Sequence, residues 1–133
     1  MPQNQQRKQP QRRRPIKNNM IKASLHNYRI SPRKVRVAAN LVRGKSADQA
    51  ILILSNTSKK ATDPLIVLIQ SALANAKNNF QIERETLMIK ELRVDGGQVL
   101  KRSRPRSRGM SNPIKKRTSN ISLVLAPKVE KKN

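Results

Sequence analysis

Cysteine and tryptophan are missing from this chain, and histidine occurs once, at position 26. Without thiols there is neither a disulfide framework nor a thiolate metal site, as befits a reducing compartment. No apolar run approaches the roughly 18 residues of a membrane span. The first residues lack the apolar stretch of a secretory signal, and residues 1–19 are too polar for an amphipathic transit helix. The only aromatic residues are Tyr28 and Phe80. Reading single-stranded bases by aromatic stacking takes several exposed rings, so that mode of recognition is not expected.

Catalytic groups are equally scarce. His26 stands alone on a predicted strand, and Glu83 and Glu85 have no histidine or cysteine partner for a metal. Gly96-Gly97 lacks the Lys-Ser/Thr that follows a phosphate-cradling loop. No constellation supports any serine as a nucleophile. The expectation is a protein without catalytic residues, metal or cofactor.

Acidic charge is the next scarcity. Residues 1–47 hold thirteen Lys or Arg and no acid, and residues 96–133 hold eleven against Glu130 alone. Residues 48–95 carry six charges of each sign and are neutral. The net charge of +23 over 133 residues therefore flanks a neutral folding unit. Self-repulsion opposes a compact state, and a polyanionic partner removes that penalty. The densest stretch holds Lys101, Arg102, Arg104, Arg106 and Arg108, with Lys115, Lys116 and Arg117 close behind. Arginine dominates it, and the planar guanidinium binds phosphate bidentately and stacks on bases.

Along the chain, residues 1–19 cannot bury apolar surface and are expected to be disordered when free, then to lie along RNA. Residues 20–30 alternate, with Ile21, Ala23 and Leu25 on one strand face. Ser31-Pro32 opens a helix in which Val35, Ala38, Ala39 and Val42 recur at helical spacing, and Gly44 suits its C-terminal cap. The opposite face carries Arg33, Arg36, Asn40 and Arg43 without a glutamate to pair them, which points to phosphate rather than to a merely solvated surface. Ser46 and Gln49 have capping-box spacing for a second helix with Ala47, Ala50, Ile51 and Leu54 as its stripe. A third helix runs from Lys59 or Pro64 to Asn79, with Asp63 as the candidate N-cap and Leu65, Leu68, Ile69, Ala72 and Ala76 inward. Residues 87–94 and 121–125 read as strands. Leu87 and Ile89 are out of phase with Leu92 and Val94, so a bulge is expected near Lys90-Glu91.

Two connections join these strands. Asp95-Gly96-Gly97 is a tight-turn signal, and local chemistry favours a short hairpin ending there. The other path passes Gly97 and turns near Pro105 to Gly109. Fifteen extended residues span about 50 Å, against a radius of gyration near ~13–14 Å for a domain of this size. A long hairpin must project clear of the core, and an isolated two-stranded ribbon is marginal in water.

Several segments together resemble the uL22 family of large-subunit ribosomal proteins in its bacterial form. They are Ser31-Pro32-Arg33-Lys34-Val35-Arg36-Val37-Ala38-Ala39-Asn40-Leu41-Val42-Arg43-Gly44-Lys45, Ser71-Ala72-Leu73-Ala74-Asn75-Ala76 with Asn79, Val94-Asp95-Gly96 followed by Lys101-Arg102, Pro105-Arg106 and Gly109, and Lys116-Arg117-Thr118-Ser119-Asn120-Ile121. The resemblance runs in order over residues 20–126. It implies an α+β fold, three helices packed on a small three-stranded antiparallel sheet, and it favours the long hairpin with a kink at Asp95 to Gly97. The implied layout is a basic extension at 1–19, one domain at 20–127 with the hairpin at 87–125 and its tip at about 104–110, and a tail at 128–133.

The resemblance further implies a structural constituent of the large ribosomal subunit, cytoplasmic or in an organellar ribosome. Such a protein binds 23S-type rRNA, supports assembly, and lines the nascent-polypeptide exit tunnel with its hairpin. The implied partners are that rRNA, neighbouring ribosomal proteins including uL4, and the passing nascent chain, with no membrane and no homo-oligomer. The expected rRNA ligands are Arg33, Lys34, Arg36, Arg43 and Lys45 on the body, and Lys101, Arg102, Arg104, Arg106, Arg108, Lys115, Lys116 and Arg117 on the arm. The expected tunnel-facing tip is Arg104, Pro105, Arg106, Ser107, Arg108 and Gly109. Met110, Pro113 and Asn120 depart from the residues common in the family. On composition alone, a sequence-independent DNA-architectural protein fits as well. A cationic membrane-surface protein needs bulkier apolar anchors than the Val and Ala of the first helix.

Overall fold

A computed structural model describes residues 20–128. The expectations for residues 1–19 and 129–133 lie outside them. The alternating segment forms β1 (Ile21–Tyr28), with Ile21 buried, Ala23 and Leu25 half-buried, and Lys22, Ser24 and His26 exposed. Helix α1 (Pro32–Val42) buries Val35, Ala38, Ala39 and Val42. Pro32 stands in its first turn, where the missing N–H would find no helical acceptor anyway. Ser31 is the N-cap, but its hydroxyl makes no capping bond. Only its carbonyl takes part, accepting from the Lys34 and Val35 amides. Gly44 follows the helix at φ +73°, a conformation that favours glycine.

Helix α2 (Ala47–Ser55) starts at Ser46, whose Oγ accepts the Gln49 N–H at 3.4 Å. Helix α3 (Thr62–Asn75) continues through a π-turn at Ala76–Phe80. Its N-cap is Ala61, not Asp63, which lies in the first turn. Pro64 fits one residue further in, because the first-turn amide it lacks has no acceptor within the helix.

Strands β2 (Leu87–Pro105) and β3 (Ser111–Pro127) are far longer than β1. The three make an antiparallel sheet in the order β1-β3-β2. The register shifts between Ile89 and Glu91, the bulge that the hydrophobic pattern demanded. It turns Leu87, Ile89, Leu92 and Val94 all into the core. Ile121, Leu123 and Leu125 of β3 face the same way, fully buried. All three helices contribute to this one core.

The short hairpin is overturned. Gly96 stays in the ladder opposite Ser119, and β2 runs on for nine more residues. Neither Gly96 nor Gly97 takes the positive φ that a tight hairpin turn needs. Instead the register shifts again between Gly96 and Val99. A Cβ on Gly97 would lie 2.5 Å from Thr118 Oγ1 and 3.2 Å from the Asn120 and Asn27 Oδ1 atoms. The glycine serves close packing at a kink, not a reversal.

Candidate nucleic-acid interface

Beyond the Gly96 kink the sheet loses its third strand, since the pairing of β1 ends at Tyr28 opposite Ser119. What continues is a two-stranded arm from Val99–Arg117 pairing out to Pro105–Ser111. Seven residues per strand give it about 23 Å of free length at ~3.3 Å each. Every residue from 101 to 117 is exposed. No helix packs on it, and its apolar members Met110 and Ile114 remain in solvent.

Cross-strand pairing aggravates the charge. Lys101 stands directly opposite Lys115, and Leu100 opposite Lys116. Directly opposed like charges destabilise a ladder. Period-two alternation puts Lys101, Lys115 and Arg117 on one face and Arg102, Arg104 and Lys116 on the other. Both faces are thus cationic, and among the described residues the only ion pairs are Arg84–Asp48 and Arg93–Glu91, both on the body.

The tip is a turn closed by the Arg106 N–H donating to the Met110 carbonyl at 2.7 Å. Within it Arg108 takes φ +58° and Gly109 φ +67°. Of the expected tip residues, Arg106, Ser107, Arg108 and Gly109 lie in this turn, while Arg104 and Pro105 are the last ladder residues of β2, and all six are exposed.

On the body, Arg33, Lys34, Arg36, Arg43 and Lys45 are exposed, but they do not all do the same thing. The Arg43 Nε and Nη2 donate to the Leu92 carbonyl at 3.0 and 2.8 Å, and its Nη1 donates to Asn40 Oδ1 at 2.9 Å. The Arg36 Nε donates to the Val94 carbonyl at 3.0 Å. Both carbonyls lie on β2, an edge strand. The two guanidiniums therefore cover an edge that would otherwise offer itself for strand pairing. Gly44 and Lys45 continue the seal, exchanging backbone bonds with Ile89 at 3.2 and 2.9 Å. Arg36 and Arg43 thus brace the fold, with some N–H groups left for a phosphate, whereas Arg33 and Lys34 point their charge outward with no partner among the described residues.

Sequence reasoning missed Arg29, Lys59 and Lys60, which line open grooves near the root of the arm with Lys34 and residues 115–117. Their only signal was isolated charge, at the end of a predicted strand for Arg29 and between two predicted helices for Lys59 and Lys60. Among the described residues no group of acidic, histidine or cysteine side chains is placed to hold a metal, and no helix is long and apolar enough to cross a membrane.

Comparison with known proteins matches residues 23–126 to the family described as ribosomal protein L22p/L17e. The chain is similar to the large ribosomal subunit protein uL22 of Desulfitobacterium hafniense (strain Y51), 46% identical over 109 residues, 82% of this chain and 96% of the relative. It is similar to the uL22 of Mycoplasmopsis agalactiae, 46% identical over 114 residues, covering 86% of this chain and all of the relative. The uL22 of Pediococcus pentosaceus is 44% identical over 108 residues, 81% of this chain and 92% of the relative.

Proposed function

The chain belongs to the ribosomal protein L22p/L17e family, a structural component of the large subunit, and from that premise we propose that it works by threading a cationic hairpin into large-subunit rRNA. The single observation that carries this reading is the arm: exposed from residue 101 to 117, free of acid, charged on both faces, and built on a body that holds every acidic residue among the described ones. Such a ribbon gains order when phosphates enclose it, and the phosphates gain a counterion that lets neighbouring RNA segments approach. The protein then supports subunit assembly by neutralisation and shape, without catalysing a reaction.

Roles divide by position. Lys101, Arg102, Arg104, Lys115, Lys116 and Arg117 bind rRNA along the shaft. Arg33, Lys34 and Lys45 bind it at the body, with Arg36 and Arg43 contributing whatever donors the β2 edge leaves over. Arg106 and Arg108, held out by the turn, line the nascent-chain exit tunnel together with Arg104, Pro105, Ser107 and Gly109. A neighbouring protein such as uL4 meets the arm there. A DNA-architectural role fits the charge equally well, but family membership favours the ribosome.

Substituting Arg102, Arg104 and Arg106 together with Ala tests this. If about three phosphate contacts are lost, the affinity for rRNA falls on the order of 100-fold near 0.1 M salt. Large subunits formed with the variant are depleted of it on sedimentation. Incorporation equal to that of the unaltered protein contradicts the reading.

A further inference from the structure

Two loops bearing cations are fixed beside the root of the arm by buried hydroxyls. Ser119, fully buried in β3, donates its hydroxyl hydrogen to the Ile30 carbonyl. The Asn27 N–H donates to Asn120 Oδ1 at 2.8 Å. Together they tie the β1–α1 connection, and Arg29 with it, to the strand that carries residues 115–117. The second loop joins α2 to α3. Buried Thr62 donates both its N–H and its Oγ1 hydrogen to the Lys59 carbonyl, at 2.9 and 2.7 Å, and the Lys59 N–H donates to the Thr57 carbonyl at 2.8 Å. That turn holds Lys59 and Lys60 outward.

The two loops border adjoining grooves that share Arg29 and Ser31. One, of about 650 Å³, is completed by residues 115–117. The other, of about 560 Å³, is completed by Lys34, Lys59 and Lys60 over a floor of Ile30, Val37 and Ala61. Seven cations and no carboxylate line the pair, although both grooves lie partly on the body.

We infer that this saddle holds one continuous run of RNA sugar-phosphate backbone, passing from the arm root, over Arg29, to the α2–α3 turn. The inference rests on the rRNA-binding reading and adds a site to it. Five of the seven cations are lysines, point charges suited to phosphate rather than to base edges. No aromatic ring lines either groove, so bases are not read by stacking. The walls are braced before binding, so little ordering entropy opposes the contact. An acidic protein segment would also match the charge. RNA is favoured because one wall of the saddle is the arm itself, and the bound strand extends the same path.

The absence of native cysteine makes the test direct. Three single variants, Ser58→Cys, Ser31→Cys and Ser107→Cys, each carry a tethered iron–EDTA group and are assembled as full chains into large ribosomal subunits. Ser58 is exposed beside Lys59, Ser31 lies in both grooves, and Ser107 reports the tip. Ser58→Cys and Ser31→Cys are expected to cleave one overlapping stretch of RNA, distinct from that cut by Ser107→Cys. Cleavage from the tip without a shared stretch from the saddle overturns the inference while leaving rRNA binding intact. If no probe cuts, the rRNA-binding reading fails and the saddle with it. Cleavage of a neighbouring protein chain instead of RNA overturns it in favour of the acidic segment. In parallel, Lys59→Ala with Lys60→Ala should flatten the slope of log affinity against log salt by about 1.4, or ~0.7 per contact, and an unchanged slope also counts against the site.

Discussion

The body and the arm are continuous in β2 and β3, yet they follow opposite rules. The body buries twenty-two hydrophobic residues, and none of them lies between residues 95 and 120. Its charges of opposite sign include two ion pairs, and arginines cover its open sheet edge. The arm has backbone pairing, exposed side chains and charge of one sign. The same two strands are therefore held from within at one end and, on the proposed reading, from without at the other. Family membership gives the physical sense of this: a large-subunit component can leave part of its fold to be completed by its surroundings.

The strongest way to break the comparison is in the core. Leu123→Ala empties a fully buried site between helices and sheet, and should cost about 2–5 kcal/mol of stability. Urea denaturation of the isolated protein reads this directly. A loss below about 1 kcal/mol would mean that the body, too, depends on a partner.

Next is the joint between the two regions. Gly97→Ala places a methyl group against Thr118 Oγ1, which is itself committed to the Gln98 carbonyl at 2.7 Å. The expected cost is about 1–3 kcal/mol, typical of overpacking. It should shrink when Thr118→Ala is added, and equal costs in both backgrounds would place the strain elsewhere. The smallest effect belongs to the arm. Replacing Arg102, Arg104 and Arg106 with Ala should change the unfolding free energy of the isolated protein by no more than about 0.5 kcal/mol, despite the large loss of rRNA affinity expected above. A large destabilisation would show that the arm supports the body.

Much of the body was legible in the sequence because period and burial coincide there. The strand at Ile21, the helix through Val35 and Val42 and the bulge after Ile89 follow from apolar spacing, and the serine cap at Ser46 from its spacing to Gln49. The start of α3 was missed because Asp63 and Pro64 both suit a helix's first turn as well as its boundary. The tight-turn signal at Gly96-Gly97 misled because glycine serves close approach as readily as reversal, and only the neighbours Thr118, Asn120 and Asn27 reveal which. The cationic residues of the arm were plain from their density. That Arg36 and Arg43 would brace β2 was not, because their acceptors are backbone carbonyls about fifty residues away in sequence. Arg29, Lys59 and Lys60 converge only through tertiary folding, so no local pattern links them.

Amide hydrogen exchange on the free chain and on its complex with large-subunit rRNA tests the central claim most directly. In the free protein the ladder amides between Val99 and Pro105 should exchange close to the unprotected rate, while those of Leu92, Leu123 and Leu125 exchange only on global unfolding. Bound to rRNA, the arm should slow by at least about tenfold, equivalent to ~1.4 kcal/mol of local stability. An arm as protected as the body without RNA, or unchanged by it, would contradict the account.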